Sequence, residues 1–104
     1  MTGAAASVLG LKKAASVEII LVFARTKETI QAEGILEEAG LSIRVMPLPS
    51  AIRAGCGVCL HLPEAQFREA SARLKEAKIP VESVFARAAA GGRSIYAPYI
   101  GDLP

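Results

Sequence analysis

The chemistry this chain can do is concentrated in two sulfhydryls. Cys56 and Cys59 are its two cysteines, spaced Cys-x-x-Cys, and His61, its single histidine, follows two residues later. A thiol transfers sulfur or attacks an electrophile only as thiolate, so it needs a cation, a metal or oriented N–H donors beside it. Gly55 and Gly57 flank Cys56, where they permit close backbone approach and can turn N–H groups toward an anion or thiolate. Arg53 is near enough in sequence to add positive charge.

Plainer readings stand beside these. The glycines also suit a tight turn, and Cys59 also suits a sheet face, because free cysteine is among the most buried residue types. The redox mechanism of thioredoxin-like Cys-x-x-Cys sites uses a helix amino end, whereas Cys56 here leads into a strand. A disulfide across so short a loop would constrain the unfolded chain little. Cys56, Cys59 and His61 offer three ligands to a thiophilic metal, but a closed site wants four, and a subunit interface would have to supply the last. No Ser-His-Asp ordering, phosphate-binding loop or dinucleotide fingerprint is present, so hydrolase and nucleotide-enzyme readings lack support.

The elements that must position these residues can be read from periodicity. Residues 17–24 are β-branched and apolar on both alternating faces, as a central strand requires. Thr26 is placed to cap a helix in which Ala32, Ile35, Leu36 and Ala39 form one apolar stripe, with Gly40 as the stop. Leu41, Ile43 and Val45 alternate with polar residues in a second strand that Pro47 and Pro49 end. Residues 50–54 suit a helical turn, and Val58, Leu60 and Leu62 alternate in a third strand. Pro63 opens a second helix with Phe67, Ala70, Leu74 and Ala77 inward, and residues 81–87 form a last strand.

The order βαββαβ predicts an α+β, ferredoxin-like domain: a four-stranded antiparallel sheet with two helices on one face. Its limits are residues 17–87, between a flexible leader, 1–16, and a C-terminal tail, 88–104, hinged at Gly91 and Gly92. In that topology Cys59 and His61 point to the face without helices, which a second subunit or the tail would cover; a homodimer through that face is the preferred expectation.

Hydrophobic residues make up 52% of the 104 residues and charged residues 21%, enough apolar surface for one core and one domain. A formal net charge of +2 with scattered basic residues does not point to nucleic acid. The apolar run 19–24 is too short to cross a bilayer, and the leader has its lysines after its alanines, the reverse of a secretory signal. A cytoplasmic protein is expected, with no membrane partner.

Between residues 17 and 87 the chain resembles the putative selenium/sulfur carrier protein-like family. The likeness rests on Arg25-Thr26 at the helix entry, Ala32-Glu33 within the helix, Met46-Pro47-Leu48-Pro49, and Cys56-Gly57 at a strand start. Ser50 stands where relatives often carry Arg, Arg53 stands where they often carry Ser, and Cys59 is this chain's own addition. The resemblance implies a carrier more than a catalyst, without a cofactor. Cys56 would hold a persulfide or selenosulfide passed between donor and acceptor proteins, Cys59 would resolve it, and Ser50, Arg53, Gly55, Gly57 and His61 would line the binding site. The alternative from a different class is a non-enzymatic small-molecule or protein-binding module whose cysteines only pack; a thiolate metal site is third.

Overall fold

The computed structural model describes residues 17–52 and 57–99. Its elements are β1 (Glu18–Val22), α1 (Thr26–Glu38), β2 (Arg44–Pro47), β3 (Val58–Pro63), a 3-10 turn (Glu64–Gln66), α2 (Phe67–Glu76), β4 (Ser83–Ala90) and β5 (Arg93–Pro98). They build an α+β structure around one five-stranded sheet, ordered β2-β3-β1-β4-β5, in which every pairing is antiparallel. As expected for the first and third strands, β1 and β3 are direct neighbours, Ile20 lying opposite His61 and Val22 opposite Cys59.

The expected four-stranded sheet is corrected to five strands. Residues 88–92, placed from sequence in a C-terminal tail hinged at Gly91 and Gly92, instead finish β4 and turn the chain into β5. Gly91 and Gly92 both adopt positive φ, 59° and 78°. Two such residues in succession make the type I′ turn whose twist matches that of paired strands. The second strand is also displaced: it pairs from Arg44 to Pro47 rather than from Leu41 to Val45. An edge strand tolerates a terminal proline, because the missing N–H need not face a neighbour.

β1 alternates into both faces and so divides the interior in two. Ile19, Leu21 and Phe23 join Leu60 and Leu62 of β3, Ala32 and Leu36 of α1, and Phe67, Ala70 and Leu74 of α2 in one buried cluster. Both helices therefore lie on that face. Ile20, Val22, Cys59 and Ile52 form a second buried cluster on the other face, with Met46, Leu48, Phe85 and Tyr96 packed against it. The loop after β2 thus contributes Leu48 and Ile52 to the cover that the sequence assigned to a subunit or the tail.

Local signals explain the joints. Thr26 begins α1 rather than capping it; Arg25 holds the cap position without a side-chain hydrogen bond to the helix backbone. At the other end Gly40, at φ 83°, lets the Leu41 N–H return to the Leu36 carbonyl at 3.1 Å, which closes the helix. Past β5, Tyr99 stands edge-on to Phe67 with ring centroids 5.1 Å apart. Its hydroxyl donates to Glu64 Oε2 at 3.3 Å.

Candidate functional site

Strand register assembles a charged cluster on the helix-free face. His61 is opposite Arg44 across one side of β3, and Glu18 is opposite Arg87 between β1 and β4. Side chains at these positions share a face because strands repeat every two residues. Glu18 becomes the hub. Its Oε1 accepts from His61 Nδ1 at 3.1 Å and from Arg87 Nη1 at 3.4 Å, and its Oε2 accepts from Arg44 Nη2. Arg87 Nε in turn donates to Ser94 Oγ of β5 at 3.1 Å.

Burial and the neighbouring charges oppose each other at both groups. Withdrawal from water raises the Glu18 carboxyl, but the His61 hydrogen bond, the Arg44 charge and hydrogen bond and the His61 charge outweigh it, leaving the pKa below the ordinary value. His61 is 5% exposed. Its burial lowers the imidazole pKa, the Glu18 hydrogen bond and charge raise it, and Arg44 and Arg87 lower it, the net result lying below the ordinary value. A neutral ring that donates from Nδ1 to the carboxylate carries its lone pair on Nε2. That Nε2 is buried and has no hydrogen-bond partner among the described residues.

These residues line a cleft of about 400 Å³ together with Met46, Leu48 and Tyr96. The larger concavity, about 640 Å³, lies on the helix face between α2 and β4, lined by Leu74, Ile79, Val84 and Tyr99 among others. Neither Cys59 nor His61 borders it.

The expected site residues are distributed unevenly. Cys56, Arg53 and Gly55 lie outside the described residues. Cys59 is fully buried, its Sγ within 3.6 Å of the Met46 carbonyl and 3.8 Å of the Pro47 carbonyl. Ser50 is exposed, in a turn where the Ile52 N–H reaches the Pro49 carbonyl at 2.9 Å. Gly57 is exposed with room for a Cβ, nothing lying within 4 Å of that position, so close approach among the described atoms does not require glycine there. Its carbonyl accepts from the Leu48 N–H at 3.0 Å, tying the two ends of the loop together. His61 lies four residues farther along extended chain, about 13 Å away at the usual strand rise, so it belongs with Glu18 rather than with the glycines.

Glu18, Arg44 and Arg87 were not singled out from sequence. The available signal was a lone acidic residue at the head of an otherwise apolar strand, but its partners follow only from the register of three strands.

Comparison with known proteins adds a family. A family model described as "Putative Se/S carrier protein-like" matches residues 18–86. A curated relative, "Uncharacterized protein YtiA" of Escherichia coli (strain K12), is 38% identical over 45 residues, covering 43% of this chain and 53% of that protein, so the match spans about half the relative's length. No solved structure matches the chain. Among the described residues, no helix is long and apolar enough to cross a membrane.

Proposed function

The chain belongs to the Putative Se/S carrier protein-like family, and from that premise we propose that it is a sulfur or selenium carrier whose working group is Cys56. The observation that carries this reading is the family match across residues 18–86, a span that contains the Pro-Leu-Pro segment, Cys56 and Gly57. The Leu48–Gly57 hydrogen bond supports it. That bond fixes Gly57, the residue that follows Cys56 in sequence and leads into β3.

Loading is a thiol exchange. The Cys56 thiolate attacks the outer sulfur of a persulfide on a donor protein; the donor's S–S bond breaks, its cysteine leaves as thiolate, and Cys56 keeps the transferred sulfur as a persulfide. Arg53 and loop N–H groups stabilise the anionic forms. For release, the Cys59 thiolate attacks the inner sulfur of Cys56, expelling hydrosulfide, and a dithiol reductant resets the resulting disulfide. Cys59 is buried, with its Sγ against the Met46 and Pro47 carbonyls, so this attack needs a local opening that frees the thiol, and until then Cys59 is shielded from solvent reagents. A selenosulfide follows the same bookkeeping with selenium as the outer atom. Free thiols suit a reducing compartment, the cytoplasm, and the partners are the donor and acceptor proteins.

Incubation with a cysteine desulfurase and cysteine, followed by intact mass under non-reducing conditions, tests this. The expected product in Cys59→Ser, which cannot resolve the persulfide, is heavier by one sulfur atom; the parent shows that gain or, once resolved, the loss of two hydrogens, and Cys56→Ser shows neither. No sulfur gain in Cys59→Ser, or an undiminished gain in Cys56→Ser, overturns the reading.

A further inference from the structure

The charged cleft on the helix-free face has unused hydrogen-bonding capacity that fits one kind of ligand. Glu18 contributes one negative charge, Arg44 and Arg87 one positive charge each, and neutral His61 none, so the cluster is net positive by one. The carboxylate is fully engaged, whereas the nitrogens around it are not. Arg87 uses Nη1 on Glu18 and Nε on Ser94, which leaves Nη2. Arg44 uses Nη2 on Glu18 and Nη1 only on a 4.0 Å contact with Met46 Sδ, which leaves Nε. His61 adds the buried, unpartnered Nε2.

Two guanidiniums require acceptors, and a lone pair on Nε2 requires a donor. A cation is repelled by the net charge, and a fully deprotonated anion offers Nε2 nothing. We propose that this cleft binds a small oxyanion carrying one proton, with Arg44 and Arg87 on its charged oxygens and His61 Nε2 on its hydroxyl. Transfer of that proton to Nε2 leaves the complex with the same proton count, the ring then donating from both nitrogens. Glu18 holds the ring by Nδ1 in either case, as an outer carboxylate orients an imidazole. The groups facing His61 are Glu18 from β1, Arg44 from β2 and Arg87 from β4, with Ser94 and Tyr96 of β5 completing the rim. Nε2 is buried, so a wall of the cleft must yield for a ligand to reach it; Met46 and Leu48, both only partly buried, line that cleft beside His61. The inference is independent of the carrier reading, since none of these residues is a cysteine.

The single histidine makes the test clean. The imidazole C–H resonance of the full-length protein is followed against pH, at constant ionic strength, with inorganic phosphate replacing chloride. The expected result is a saturable upward displacement of the His61 midpoint with phosphate. Arg44→Gln and Arg87→Gln should each weaken phosphate binding about tenfold or more while the amide spectrum keeps its dispersion. Should either variant lose that dispersion, Ser94→Ala, which frees the Arg87 Nε, is used and should alter the phosphate affinity. A midpoint indifferent to phosphate, an equal response to chloride, or sulfate binding as tightly as phosphate at pH 7.5 overturns the proposal.

Discussion

Replacing Glu18 by glutamine removes one charge from the hub of the cleft while keeping its shape, and the consequences can be worked through atom by atom. Glutamine has one acceptor oxygen where glutamate has two. Facing His61 and Arg87 with that oxygen places the amide nitrogen against Arg44 Nη2, donor to donor; the flipped amide confronts His61 and Arg87 instead. The Arg44 pair is worth little, because that guanidinium is 55% exposed and exposed ion pairs contribute about 0–1 kcal/mol. The His61 hydrogen bond is buried on the histidine side, and bonds to charged groups contribute about 1.5–3 kcal/mol, part of which glutamine retains. Glu18→Gln should therefore cost about 1–2 kcal/mol near neutrality.

The sign with pH follows from the direction of the carboxyl shift. The folded-state pKa of Glu18 is lowered from 4.5, so its contribution is present above 4.5 and is lost as pH falls through the folded value. The difference between the parent protein and Glu18→Gln should be present at pH 7, widen as pH falls below 6.5 because the carboxylate also favours protonated His61, and shrink as Glu18 itself is protonated below pH 4.5. Urea unfolding followed by circular dichroism at several pH values measures both curves. A destabilisation that persists unchanged into acid, or its absence at neutral pH, would refute the hub role of the carboxylate.

His61, whose pKa is lowered from 6.5, contributes in the same direction: the unfolded chain takes up its proton first, so stability should begin to fall as pH drops below 6.5, ahead of the Glu18 window. The unfolding free energy of Glu18→Gln against pH isolates that earlier step. Leu60→Ala, at a fully buried position of β3, should lower the unfolding free energy by about 2–5 kcal/mol in urea titration. Gly92→Val puts a β-branched side chain at φ 78°; thermal unfolding should show a loss of at least about 1 kcal/mol, whereas Gly34→Ala, with open space around its Cβ inside α1, should stabilise by roughly 0.5–1 kcal/mol. Native-state alkylation of Cys59 in a Cys56→Ser background should be slow and should accelerate in urea, as read by intact mass.

The interior elements were the legible ones. Residues 17–24 announced β1 by unbroken β-branched apolar character, and the alternation of Val58, Leu60 and Leu62 placed β3 correctly. The errors cluster at the sheet edges. Pro47 does end β2, as read, but the strand begins at Arg44 instead of Leu41. The Ala-Ala-Ala-Gly-Gly stretch looked flexible because alanine has weak strand preference; pairing with β5 overrides that preference. The charged cleft was illegible for another reason: Glu18, Arg44, His61 and Arg87 come from four strands, and only the pairing register brings them together. His61 was recognised, but as a neighbour of the thiols instead of the partner of a distant carboxylate.

Because neighbouring side chains of β1 enter opposite interiors, neither half of this molecule can come apart while the other stays whole. Pulling that strand out empties both at once, so loss of structure should spread inward from the rims, where β2 and β5 each have a single neighbour. The segment carrying Cys56 departs from one of those rims, and local opening of β2 would unseat Leu48 and uncover Cys59 while β1 keeps its place.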